Sequence, residues 1–126
     1  MSFLGSLTLG LLIVSGGYYV VRSYARRDNR VVPYLVVLRK YHHYAGILAL
    51  CAGIGHALLY KYPVLSARAY SGYAALAILA GMSVIGFGIK LNPRNKNFRM
   101  LHRVAMVLLI VAVVVHLVIK KLLQVI

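Results

Sequence analysis

The sequence predicts an all-α integral membrane protein: a four-helix transmembrane up-down bundle with both termini on the extracytoplasmic side. Three observations lead there. Of 126 residues 62% are hydrophobic, and a mean hydropathy of +0.83 fits no ordinary soluble fold. Four apolar runs each reach the ~20 residues that a helix needs to cross a ~30 Å hydrocarbon layer. The charged residues are gathered in the short segments between those runs and at the end of the chain.

The first run covers residues 3–21. No Lys or Arg precedes it and a cluster of Arg follows, the reverse of a cleaved signal peptide, so it is expected to stay as a helix. Gly5, Gly10, Gly16 and Gly17 suit it to close packing against a neighbour. Residues 31–38 read either as an interfacial helix or as an early start of the second helix, with Pro33 marking a loop turn. The second run covers residues 41–60. Its Cys51 is the only cysteine of the chain and can form no internal disulfide, so it is expected to pack.

Pro63 marks the next turn, and the third run covers residues 69–89. Gly72, Ala75, Ala77, Ala80, Gly81 and Ser83 give it the small residues that let membrane helices approach one another. Asn92-Pro93 ends it, and the fourth run covers residues 101–119. With 47 of the 126 residues outside the runs, too few for a second domain, the chain 1–126 is expected to be one transmembrane domain.

Orientation follows from the distribution of Lys and Arg. Arg22, Arg26, Arg27, Arg30, Arg39 and Lys40 surround the first loop, and Lys90, Arg94, Lys96, Arg99 and Arg103 the third. The other side has only Lys61, Arg68, Lys120 and Lys121. The positive-inside rule then sends both termini outward, in what is expected to be the cytoplasmic membrane. Tyr18, Tyr19, Tyr24, Tyr34, Tyr41 and Tyr44 are expected as anchors at the inner boundary, and Tyr60, Tyr62, Tyr70 and Tyr73 at the outer.

The formal charge is +14, with Asp28 the only acidic residue against 15 Lys and Arg. The basic residues form no continuous face, which sets nucleic acid aside as a partner. Lipid headgroups, a partner subunit or an anionic cofactor would balance them.

The chemistry lies in the histidines. All five, His42, His43, His56, His102 and His116, fall in the second and fourth runs, and an ionisable residue inside a membrane is costly enough to count as functional by default. His42 and His56 are fourteen apart, as are His102 and His116. At ~100° per residue, fourteen residues end only about 40° from a whole number of turns, so each pair shares a face, with a rise of about 21 Å between its members. In an up-down bundle the second and fourth helices run parallel, so His42 meets His102 at an inner level and His56 meets His116 at an outer one. Each level would hold a metal axially between two imidazoles. Alanines recur at matching offsets, Ala45 and Ala52 on one helix and Ala105 and Ala112 on the other, and leave room for a flat macrocycle; Gly46, Ala49 and Gly53 widen that groove.

His43 is turned about 140° from the face of His56, so His42 is assigned as ligand with His43 as its alternative. Arg39, Lys40, Arg99 and Arg103 at the inner level, and Lys61, Arg68, Lys120 and Lys121 at the outer, could pair with haem propionates. Interhelical packing is the plain alternative for membrane histidines. A zinc or copper site is disfavoured, because neither level has three or four convergent ligands.

The segment His42-His43-Tyr44-Ala45-Gly46, with a histidine fourteen residues after the first, resembles the first ligand helix of ferric-reductase-like transmembrane haem b domains. Leu101-His102-Arg103 followed by His116 is similar to their second. The likeness covers about a third of the chain. It implies two haem b groups with His42, His56, His102 and His116 as iron ligands. The chain differs in having His43 where the family has a basic residue after the first ligand, and four helices where six are common. No flavin or nicotinamide domain follows, so electrons are expected from a partner.

The expected function is a dihaem cytochrome b subunit that carries electrons between an inner and an outer haem, working with a redox partner subunit or a quinone. The alternatives are a quinol-oxidising or quinone-reducing module, a haem or metal transporter, and a non-redox membrane anchor. No dedicated acid–base residue other than His43 is visible for quinol protons. The apolar middles of the runs speak against a transport cavity.

Overall fold

The structure, a computed structural model, describes residues 3–59 and 66–122. Among these residues the chain is helical apart from short connections, and it contains no strand. The helices are α1 (Phe3–Ala25), α2 (Val32–Leu59), α3 (Ala67–Leu91) and α4 (Lys96–Leu122), with a 3-10 turn at Asn29–Val31 before α2. Each is long and apolar enough to span a membrane. Tyr60, Lys61, Tyr62 and Pro63 lie outside the described residues.

The four expected runs recur as helices that extend beyond them, the second followed as far as Leu59, the last described residue before the α2–α3 connection. An apolar run ends at the first charges, whereas a helix continues as long as its backbone bonds do, and Lys and Arg are good helix formers. Arg22, Arg39, Lys40, Lys90 and Arg99 accordingly sit on helices. The largest difference is at α2, where residues 32–38 prove to be its early start and Val31 closes the 3-10 turn before it. Pro33, expected in a loop turn, is instead the second residue of α2. In a first turn the missing N–H has no intrahelical partner to lose, and the fixed φ suits the helix. With 28 residues, α2 is about 42 Å long.

The ends are capped locally. Asp28 accepts from the Arg30 N–H at 2.9 Å and turns the chain into α2. Ser66 is extended and accepts from the Ala69 N–H at 3.2 Å, capping α3. Asn92 closes α3 by donating its N–H to the Gly88 carbonyl at 2.9 Å, and Pro93 then cannot continue the helix. Asn95 opens α4, its side-chain oxygen taking the Asn97 N–H at 2.9 Å and the Phe98 N–H at 3.4 Å. The Arg99 guanidinium donates back to the Pro93 carbonyl and ties this turn.

The chain divides into two compact units, Met1–His56 and Ala57–Ile126. In the first, α1 and α2 form an antiparallel hairpin. Leu4 packs against Gly55 near one end, and Ser15 and Tyr18 meet His42 farther along. In the second, α3 and α4 form another, whose register runs from Ser71 and Gly72 at His116 to Gly86 at His102 and Gly88 at Phe98.

The buried apolar residues are Ala45, Ala49, Ala52, Ala69, Leu79 and Leu109, and no polar or charged residue among those described is buried. Large apolar side chains are exposed along every helix, among them Ile13, Leu58, Val84, Phe87 and Val111. In water that distribution would be untenable; against lipid it is the expected one. Cys51, expected to pack, is also exposed.

Candidate functional site

The faces of α2 and α4 that carry the paired histidines repeat one another more fully than their sequence shows. On α2 the positions are His42, Ala45, Ala49, Ala52 and His56; on α4 they are His102, Ala105, Leu109, Ala112 and His116. The offsets are identical. The middle position is buried on both helices, with Ala49 at 0% and Leu109 at 6% exposure. The four histidines at the ends are half-buried. Ala45 and Ala52 are buried, and Ala105 and Ala112 half-buried. A Cβ on Gly46 would meet nothing within 4 Å, so this position stands open, whereas Ala49 beside it is fully packed.

His42 is held by α1. Its Nδ1 lies 3.0 Å from the backbone carbonyl of Ser15 and 3.0 Å from the Ser15 hydroxyl. Tyr18 lies over the ring, centroids 5.3 Å apart and planes inclined at 37°. Tyr18, expected as an interfacial anchor, is half-buried, while Tyr19, Tyr24, Tyr34, Tyr41, Tyr44, Tyr70 and Tyr73 are exposed as anchors would be. His43 is exposed, its ring edge-on to His42 at 5.7 Å. Of the two neighbours, His42 is therefore the one turned toward a helix.

His116 is held by α3 in a comparable way. Its Nδ1 lies 3.0 Å from the Ser71 hydroxyl, and that hydroxyl also donates to the Arg68 carbonyl at 3.0 Å. The ring rests on Gly72, where a Cβ would come within 3.2 Å of Cε1. Toward the other end of α3, the His102 ring faces Gly86, where a Cβ would come within 3.6 Å of its Cε1. Gly72 and Gly86 are themselves fourteen apart and stand five residues inside the two ends of α3. The helix thus receives both imidazoles of α4 on glycine, one near each of its ends.

The basic residues fall as the loops require. Arg39, Lys40, Arg99 and Arg103 are exposed, and Arg68 is half-buried. Lys96, Arg99 and Arg103, with Met100, line a hollow of about 250 Å³ on the first turns of α4. Three cations around one hollow suit an anionic group such as a carboxylate or phosphate. Among the described residues no three His, Cys, Asp or Glu side chains converge, so the histidines offer their nitrogens singly and assemble no tetrahedral cage.

Ser15, Ser71 and Gly86 were not singled out by sequence reasoning. A signal for Gly86 existed, because the Gly72–Gly86 interval equals the His102–His116 interval. Ser15 had none, since it acts partly through its main chain. No family model matches the chain, nor does any curated protein or solved structure.

Proposed function

We propose that this chain is a dihaem b-type cytochrome subunit of a membrane electron-transfer complex, built like the ferric-reductase-like haem domains its ligand helices resemble. The observation that carries the proposal is the repeated face, with histidines fourteen apart and small or buried residues at the same three offsets between them on α2 and on α4. One such face would be ordinary packing. Two with the same offsets are what two stacked bis-imidazole sites need. The donor set fits haem iron as well, being imidazole throughout, with no thiolate or carboxylate beside it.

In this proposal His42 and His102 hold an inner haem, and His56 and His116 an outer one. Haem, when bound, supplies reversible one-electron exchange at its iron. The chain's own residues do the rest. The four imidazoles would supply the nitrogens that hold the iron, and Ala45, Ala52, Ala105, Ala112 and Gly46 would keep bulk away from the ligand faces. Arg39 and Arg103 supply positive charge for propionates, with Lys96 and Arg99 beside Arg103 around the same hollow. The apolar exterior of the helices faces lipid, with both termini outside the cytoplasmic membrane by the charge distribution. Donor and acceptor are a redox partner subunit or a quinone.

The hydrogen bonds of His42 and His116 to serines also favour a second reading, a membrane anchor in which histidines tie helices together. One experiment separates the two. The detergent-purified chain is examined by a reduced-minus-oxidised spectrum and a pyridine haemochrome count. Two b haems per chain are expected; a protein that stays colourless after expression with haem supplied would leave the anchor.

A further inference from the structure

The two serine contacts carry more information than helix packing requires, because they decide where the imidazole protons sit. A backbone carbonyl can only accept a hydrogen bond. Nδ1 of His42, 3.0 Å from the Ser15 carbonyl, must therefore be the nitrogen that donates. A serine hydroxyl has one proton, and that of Ser71 is given to the Arg68 carbonyl. Toward His116 Nδ1, 3.0 Å away, the Ser71 oxygen can then only accept, and Nδ1 must again donate. In both neutral rings the proton is on Nδ1 and the lone pair on Nε2.

We propose that Ser71 and the carbonyl of Ser15 are positioning groups, which lock His116 and His42 in the Nδ1–H tautomer and make Nε2 of each ring the metal-binding nitrogen. The proposal rests on the haem reading above and deepens it. Ligating histidines generally donate their other ring N–H to a carbonyl or similar acceptor, which fixes the ring and raises its basicity. Each hairpin supplies one such acceptor, from the helix that precedes the ligand helix. One histidine of each hairpin is held in this way, His42 in the first and His116 in the second.

The two acceptors differ in how a mutation reaches them. Ser71 uses its side chain, so Ser71→Ala removes the acceptor. Ser15 uses its main chain in addition to its hydroxyl, so Ser15→Ala leaves the carbonyl in place.

The test uses the full chain in detergent with ¹⁵N-labelled histidine, whose nitrogen shifts distinguish the two tautomers before any haem is added; His42→Gln and His116→Gln assign the signals. Both rings are expected as Nδ1–H. Ser71→Ala should move His116 toward the other tautomer and weaken haem uptake at one of the two sites by about 10- to 100-fold, the usual cost of losing such a partner. Ser71→Thr, which keeps the hydroxyl, should restore both readouts, and Ser15→Ala should leave His42 as Nδ1–H. An Nε2–H ring at His116 in the unmodified chain would overturn the proposal. So would a Ser71→Ala protein with unchanged shifts and haem uptake. If the tautomers are as stated and the unmodified chain takes up no haem, the hydrogen-bond assignment stands and the haem reading falls.

Discussion

The two helical hairpins solve the same problem with different materials. In the first, α1 brings a backbone carbonyl and an aromatic ring to His42, and α1 itself has no buried residue. In the second, α3 brings a serine hydroxyl to His116 and a glycine under each imidazole of α4, around the buried Leu79 and Leu109. A main-chain acceptor tolerates almost any substitution at its position. A side-chain acceptor and a glycine floor tolerate very few. The histidine contacts of the second hairpin should therefore be the mutationally sensitive ones, and those of the first the robust ones.

The largest effect with which to test that comparison is loss of a ligand. On the dihaem reading proposed above, His102→Ala and His116→Ala should each remove one of two haems, counted as pyridine haemochrome per chain, since an iron held by one imidazole is readily lost. The ligand pairs proposed above, His42 with His102 and His56 with His116, make a sharper forecast. His42→Ala combined with His102→Ala should cost no more haem than either alone, because both empty the same level. His42→Ala combined with His116→Ala should leave none. If the first double variant were colourless and the second still held a haem, the ligands would be paired differently. His43→Ala should keep both haems, in keeping with the exposed position of that side chain.

The shared histidine faces of α2 and of α4 could be read in the sequence because periodicity is a one-dimensional quantity. A fourteen-residue interval places two side chains on one helix face whatever surrounds them, and four apolar runs announce four helices. Helix ends were less legible. Residues 31–38 carry Pro33, Arg39 follows them, and hydropathy cannot tell a helix that continues beyond the apolar layer from a loop; the first-turn position of Pro33 resolved it. Least legible were the partners of the histidines. Ser71 meets His116 because of the register between α3 and α4, which the four-residue connection and the Asn92 and Asn95 caps set. Tyr18 looked like a boundary residue by composition and lies over His42 by geometry.

That register depends on where α3 begins, which gives a smaller and more local effect. Ser66 accepts the Ala69 N–H at the helix start, and removing such a cap costs typically about 1 kcal/mol. Ser66→Ala is expected to lower the thermal midpoint of the detergent-solubilised protein slightly, with haem content unchanged at low temperature. Haem loss without a change in midpoint would mean that Ser66 touches the site in some way other than through the helix end.

The smallest expected effect is a difference between two nearly identical substitutions. Gly72→Ala and Gly86→Ala both add a methyl group to the interior of α3, so their gain in helix propensity, up to about 1 kcal/mol, cancels when the two are compared. What remains is the contact. At Gly86 the new Cβ would stand 3.6 Å from His102 Cε1, ordinary van der Waals distance, while at Gly72 it would stand 3.2 Å from His116 Cε1 and 3.5 Å from Nδ1. The His116 ring cannot withdraw without stretching its bond to Ser71, so its room to adjust is limited to a few tenths of an ångström. Overpacking of this kind costs roughly 1 kcal/mol, and Gly72→Ala should be the less stable variant by about that amount, with the His116 nitrogen signals shifted and those of His42 unmoved. Equal midpoints and unmoved His116 signals in the two variants would mean that the ring is not seated on Gly72, and the contrast between a sensitive and a robust hairpin would then rest on Ser71 alone.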